Sequence, residues 1–253
     1  SRKTYLASVV VALSCCDKYD KLTDFYRLEM EELARENQKI LDTQKKTPRE
    51  KENWVELSVL KDVVKKHLKN VKERGILQKD TLNNKEFDLL QQYVVGSLYT
   101  DEEHPPLRLD YIMDVIPYKE YSKLSDKDKK SKNYLVVCSR NKKFFSLGEY
   151  KTSSTYGVKE IYLGKKMNSL MNTWLKYNKT GHLLLNNRKE PMSSNSLTKY
   201  IQKVFSSTGK LISASMIRHI FITDKFPPDN SERQDIADKM LHSVDTQTQY
   251  SKK

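Results

Sequence analysis

The chain has 253 residues, 37% hydrophobic and 31% charged, with a formal net charge of +13. That length accommodates one large domain or a small one followed by a medium one, and the composition leaves enough apolar side chains for a core, which excludes a wholly disordered chain. The positive excess points to a polyanion such as nucleic acid, the plainer alternative being a basic solvated surface.

The charge is uneven. Residues 1–53 hold 11 Lys/Arg against 10 Asp/Glu, whereas residues 123–166 hold 12 against 4. A basic block inside a folded region suits DNA better than a basic tail does. Cys15, Cys16 and Cys138 are too few and too oddly placed for a disulfide framework, so reduced thiols in an intracellular compartment are expected. No Cys/His grouping has zinc spacing, so no structural metal is expected. The apolar run Leu6 to Cys16 is too short to span a membrane, and no signal peptide is recognisable.

In chain order, Thr4 to Cys16 reads as a helix, followed by a charged amphipathic helix from Lys21 to Asp42. Two helices cannot bury both faces well, so they read as part of a small helical module. Thr43 to Pro48 is the linker. A helical stripe then runs from Asn53 to Val71, with Gly75 as its terminator, and Asn84 to Thr100 has the pattern of a buried helix. Leu107-Arg108-Leu109-Asp110-Tyr111 comes next, then a short apolar segment, Ile112 to Ile116.

The middle is β-rich. Asn133–Cys138, Phe144–Leu147 and Val158–Leu163 predict a three-stranded antiparallel meander. Helices return at Lys166–Tyr177, from Ser193 or Ser194 to Phe205, around Arg218, and at Ser231–Met240. Ser213 or Ser215 lies at the start of the Arg218 helix.

The chemistry-bearing residues form an ordered series: Arg108, Lys151, Arg218, His242 and Tyr250. Taken singly, each has an ordinary reading: a paired buried arginine, a capping histidine, one lysine among 46 Lys/Arg, one of 15 tyrosines. Their order, with a β-meander between the two arginines, makes the combination specific. The blocks Leu107-Arg108-Leu109-Asp110, Met216-Ile217-Arg218-His219-Ile220-Phe221, Met240-Leu241-His242-Ser243 and Gln249-Tyr250 resemble those of the tyrosine recombinases, or integrases, and more distantly the type IB topoisomerases. The style rich in Lys, Asn and Tyr is similar to integrases of virophages and large DNA viruses, which implies a host cytoplasm or nucleus, or association with the virion.

The resemblance implies a mainly α (α+β) fold. Residues 1–47 would be a partial helical core-binding domain with its linker, and residues 48–253 a catalytic domain with a small three-stranded antiparallel sheet. It further implies metal-independent strand cleavage with no cofactor, a 3′-phosphotyrosyl intermediate on Tyr250, double-stranded DNA as partner, and self-association as a dimer or tetramer on DNA. Two arginines offer planar donors to the non-bridging phosphate oxygens, His242 adds another, and Lys151 protonates the leaving oxygen.

The sequence departs from the family pattern in places. Ser215 stands where a histidine is usual, either binding phosphate in its place or acting as a plain helix-start serine. Leu241 replaces the usual glycine. His219 reads as structural or supporting. A DNA-relaxing enzyme of the topoisomerase type, or a DNA-binding protein that has lost catalysis, are the alternatives.

Overall fold

In a computed structural model of the chain, residues 2–225, 236–241 and 250–252 are described. They divide into two compact units, one of residues up to 46 grouped with Lys252, the other Thr47–Ser251. The first unit is a pair of helices, α1 (Arg2–Leu13) and α2 (Asp20–Asp42). Helix α1 buries no residue and α2 buries only Thr23, so Tyr5, Val11, Leu22, Phe25 and Leu28 are exposed.

The second unit opens with α3 (Pro48–Asn53). Thr47 caps it, accepting from the Glu50 amide, while the Glu50 carboxylate accepts from the Thr47 amide, and Pro48 occupies a first-turn position where no amide is needed. The proline in the polar break is thus the first residue of a helix. Residues 54–56 are extended, so the next helix, α4 (Leu57–Glu73), begins four residues later than the apolar stripe suggests. Gly75, with φ of 60°, ends it as expected.

Helix α5 (Asn84–Thr100) is the central helix, burying Leu90, Val94, Val95, Leu98 and Tyr99. Gly96 lets α4 close on it, since a Cβ there would lie 2.7 Å from a Val64 methyl. Gln91 is buried but satisfied: its amide donates to the Leu185 carbonyl and accepts from the Leu185 amide, both at 2.9 Å.

After α5 come β1 (Asp114–Pro117), α6 (Tyr118–Tyr121), α7 (Asp126–Ser131), β2 (Asn133–Ser139), β3 (Lys142–Leu147), α8 (Ser153–Tyr156) and β4 (Lys159–Tyr162). The architecture is mainly helical α+β, as expected, but the sheet differs from a three-stranded meander. Among the described residues it has four strands in the order β1-β2-β3-β4, and β1 pairs parallel with β2. Parallel pairing needs a crossover, here α6 and α7, and so leaves no local hairpin signal around a four-residue strand. Both faces are covered. Leu135, Phe145 and Leu147 enter the main core, while Tyr134, Val136 and Phe144 pack with Tyr121 of α6 on the other face.

Helices α9 (Lys165–Tyr177), α10 (Ser194–Val204, capped by Ser193) and α11 (Ala214–Lys225) complete the described elements. The expected helix end at Phe226–Pro228 lies outside the described residues, as does the Ser231–Gln234 start of the next helix; Ile236–Met240 forms a helical turn. No described helix is long and apolar enough to cross a membrane.

Candidate active site

Arg108 sits in a bend after α5 that is held from several sides. Its carbonyl accepts from the Tyr99 hydroxyl at 2.5 Å, and its amide donates to the Asp110 carboxylate at 3.1 Å. Tyr111 braces the same bend, donating to the Leu98 carbonyl at 2.9 Å and packing edge-on against Tyr99. Burial raises the Asp110 carboxyl above its ordinary range, against the pull of the Arg108 amide and of the Arg218 and Arg108 charges.

Arg218 lies on α11, 1% exposed, among the largest fully buried side chains. Ser213 caps this helix by accepting from the Met216 amide at 3.2 Å. Arg218 Nη1 donates to the Pro106 carbonyl at 2.6 Å and Nη2 to the Met240 carbonyl at 3.2 Å. One side chain thereby joins the Arg108 bend to the segment leading to His242. Its Nε has no hydrogen-bond partner among the described residues. Desolvation, then the nearby Arg108 charge, lower Arg218 to about 10, still protonated at neutral pH.

Lys151 is exposed in the connection between β3 and β4. Asn133, at the start of β2, secures that connection. Its Oδ1 accepts from the Gly148 and Glu149 amides at 3.0 and 2.9 Å, and its Nδ2 donates to the Glu149 carbonyl at 2.9 Å and the Asp110 carbonyl at 3.3 Å. The lysine connection and the Arg108 bend thus share one buried amide. Thr152, next to Lys151, donates to the Leu241 carbonyl at 3.0 Å. Leu241 adopts φ of 58° with its side chain buried.

Tyr250 is half-buried beside these groups. Arg108 Nη2 donates to its hydroxyl at 3.3 Å, and Arg218 Cζ lies 5.6 Å from its ring centroid. Burial pushes the phenol up, but the Arg218 charge, the Arg108 charge and hydrogen bond, and the Lys151 charge outweigh it, so the phenol lies below its ordinary value. His219 packs on the same ring at 4.7 Å between centroids.

Four of the five sequence-selected residues therefore have described positions. Arg108 and Arg218 meet Tyr250, and Lys151 is close enough for its charge to act on it. His242 lies outside the described residues, although Met240 and Leu241, which precede it, are held by Arg218 and Thr152. Ser215 is exposed in the first turn of α11, and capping falls to Ser213. Asn133, Thr152, Tyr99 and Glu50 were not singled out by sequence. Asn133 reads as a strand start and Thr152 as a turn residue; nothing local marks their distant partners. Among the described residues no group of three His, Cys, Asp or Glu side chains has the arrangement of a metal site.

No family model matches this chain, and no curated protein matches it. Among solved structures it is similar to one described as "Crystal structure of XerA recombinase", with 12% sequence identity and a TM-score of 0.42. The similarity covers 68% of this chain and 58% of that one, so the chain spans less than two thirds of that structure's length.

Proposed function

We propose that this chain is a tyrosine recombinase or integrase that breaks and rejoins DNA strands through Tyr250. The observation that carries the reading is the convergence of two distant arginines on one tyrosine: Arg108 on its hydroxyl and Arg218 against its ring. A phenol attacking a phosphodiester must lose its proton, and the phosphorane it forms gains negative charge. Two fixed guanidinium groups favour both changes without reorganising during the reaction. The Arg218 Nε, which has no hydrogen-bond partner among the described residues, supports the same reading, because a buried donor without an acceptor costs roughly 1–3 kcal/mol. A phosphate oxygen would supply the acceptor.

In this scheme the Tyr250 hydroxyl gives its proton to solvent, its oxygen bonds to the scissile phosphorus, and the bond from phosphorus to the 5′-oxygen breaks. Lys151 gives that oxygen its proton, leaving a 3′-phosphotyrosyl link and a free 5′-hydroxyl. Rejoining is the reverse attack by a 5′-hydroxyl, so bond energy is conserved and no nucleotide is consumed. His242 is assigned as a further donor to the phosphate oxygens. Self-association on double-stranded DNA belongs to the same proposal, as do residues 1–47 as a partial core-binding domain. The exposed Ser215, in place of a histidine, motivates a second reading in which the chain binds DNA without cleaving it.

The test is incubation with a nicked duplex that traps the covalent product, in EDTA. A protein–DNA adduct that Tyr250→Phe abolishes supports the nucleophile assignment. Salt-sensitive DNA binding with no adduct in the unsubstituted protein supports the second reading.

A further inference from the structure

We infer that Glu50 and His219 are a positioning pair for the Tyr250 ring. The inference rests on the reading of Tyr250 as nucleophile. Glu50 belongs to α3, the first helix of the second unit, and is buried at 8% exposure. Its two carboxylate oxygens face different partners. Oε2 accepts from the Thr47 amide at 2.8 Å, closing the capping box, and Oε1 accepts from His219 Nδ1 at 2.6 Å. The His219 ring in turn lies 4.7 Å from the Tyr250 ring, tilted by 50°.

The physical consequence follows from what each bond restricts. A hydrogen bond from Nδ1 to a fixed carboxylate sets the imidazole's tautomer and stops the ring from turning. Glu50 is itself fixed, because its other oxygen and its own amide belong to the cap. The Tyr250 ring therefore packs against a surface that cannot rotate. His219 is the residue after Arg218, so consecutive positions of α11 contact the same aromatic ring, while Arg108 holds its hydroxyl. A ring held at its face and its oxygen has little freedom to leave the attack geometry, and small misplacements of a reacting group are costly. Neither Glu50 nor His219 needs to touch the phosphate for this. They act through the tyrosine, and they make the entry turn of the unit part of its active site.

The experiment uses the full chain with 3-fluorotyrosine placed at position 250, read by 19F NMR, alongside single-turnover adduct formation on the nicked duplex. Glu50→Gln keeps an acceptor for the Thr47 amide and so keeps the cap, while replacing the carboxylate that orients His219. His219→Phe keeps a ring against Tyr250 but removes the bond to Glu50. Both variants are expected to move the 19F resonance of residue 250. Both are also expected to slow adduct formation about 10- to 100-fold at saturating DNA, with DNA affinity unchanged, as loss of positioning does. A resonance and a rate equal to those of the unsubstituted protein in either variant overturn the inference. If the unsubstituted protein forms no adduct, the nucleophile reading fails instead, and the 19F shift alone still reports whether Glu50 and His219 position the ring.

Discussion

The Arg108 guanidinium reaches the Tyr250 hydroxyl at 3.3 Å across 142 residues of chain. The bend that carries Arg108 is held through its backbone by Tyr99 and Asp110, contacts that an alanine would keep. Arg108→Ala is accordingly expected to fold and to bind DNA, but to form the covalent adduct about 100- to 1,000-fold more slowly, the usual effect of losing one preorganised donor. Arg218→Ala differs, because Pro106 and Met240 lose a buried donor. It should lose stability as well as activity, by about 1–3 kcal/mol for each buried carbonyl left unpaired, in a denaturant titration.

The depressed phenol of Tyr250 predicts a pH dependence. An acid whose folded-state pKa lies below its ordinary value holds its anion better folded than unfolded. Its contribution to stability is full above the ordinary tyrosine value of about 10 and is lost as pH falls through the folded value. Adduct formation should rise with pH and level off below pH of about 10. Lys151→Ala and Arg108→Ala remove positive charge beside the phenol and should move that inflection upward. A rate profile measured on the nicked duplex reads the shift.

Asn133 is predicted to matter more than its place at the start of a strand suggests. It makes four hydrogen bonds that join the Lys151 connection to the Arg108 bend. At about 1 kcal/mol net for each bond, Asn133→Ala should cost about 2–4 kcal/mol in denaturant unfolding. Asn133→Asp should be at least as damaging, because its carboxylate would face the Asp110 and Glu149 carbonyls without a donor.

Leu241 sets two effects against each other. Its left-handed backbone costs roughly 1–2 kcal/mol, which glycine would relieve. Its buried side chain contributes more, since deleting a buried leucine costs about 2–5 kcal/mol. Leu241→Gly is therefore expected to be destabilising on balance, by about 1–3 kcal/mol, with a lowered Tm in thermal unfolding.

Much of the architecture was readable along the chain. Apolar spacing marked α5, Gly75 marked the end of α4, β-rich apolar runs marked β2 and β3, and alternation marked β4, because helix and strand signals express themselves over a few residues. The block around Arg218 was legible for the same reason: its residues are neighbours in sequence. Strand β1 was not, because its partner lies beyond a helical crossover. Arg108 and Tyr250 fell into one set only through the family resemblance, and the meetings of Asn133 with Asp110 and Glu149 and of Glu50 with His219 were not legible at all. Those pairs join segments far apart in sequence, and no local pattern records which buried polar group will satisfy which. The sequence by itself determined which residue types were present and on which elements they sit. Only the tertiary structure decided that the entry turn of the unit, through Glu50 and His219, lies against the tyrosine that the two arginines meet, because packing of the core brings their elements together.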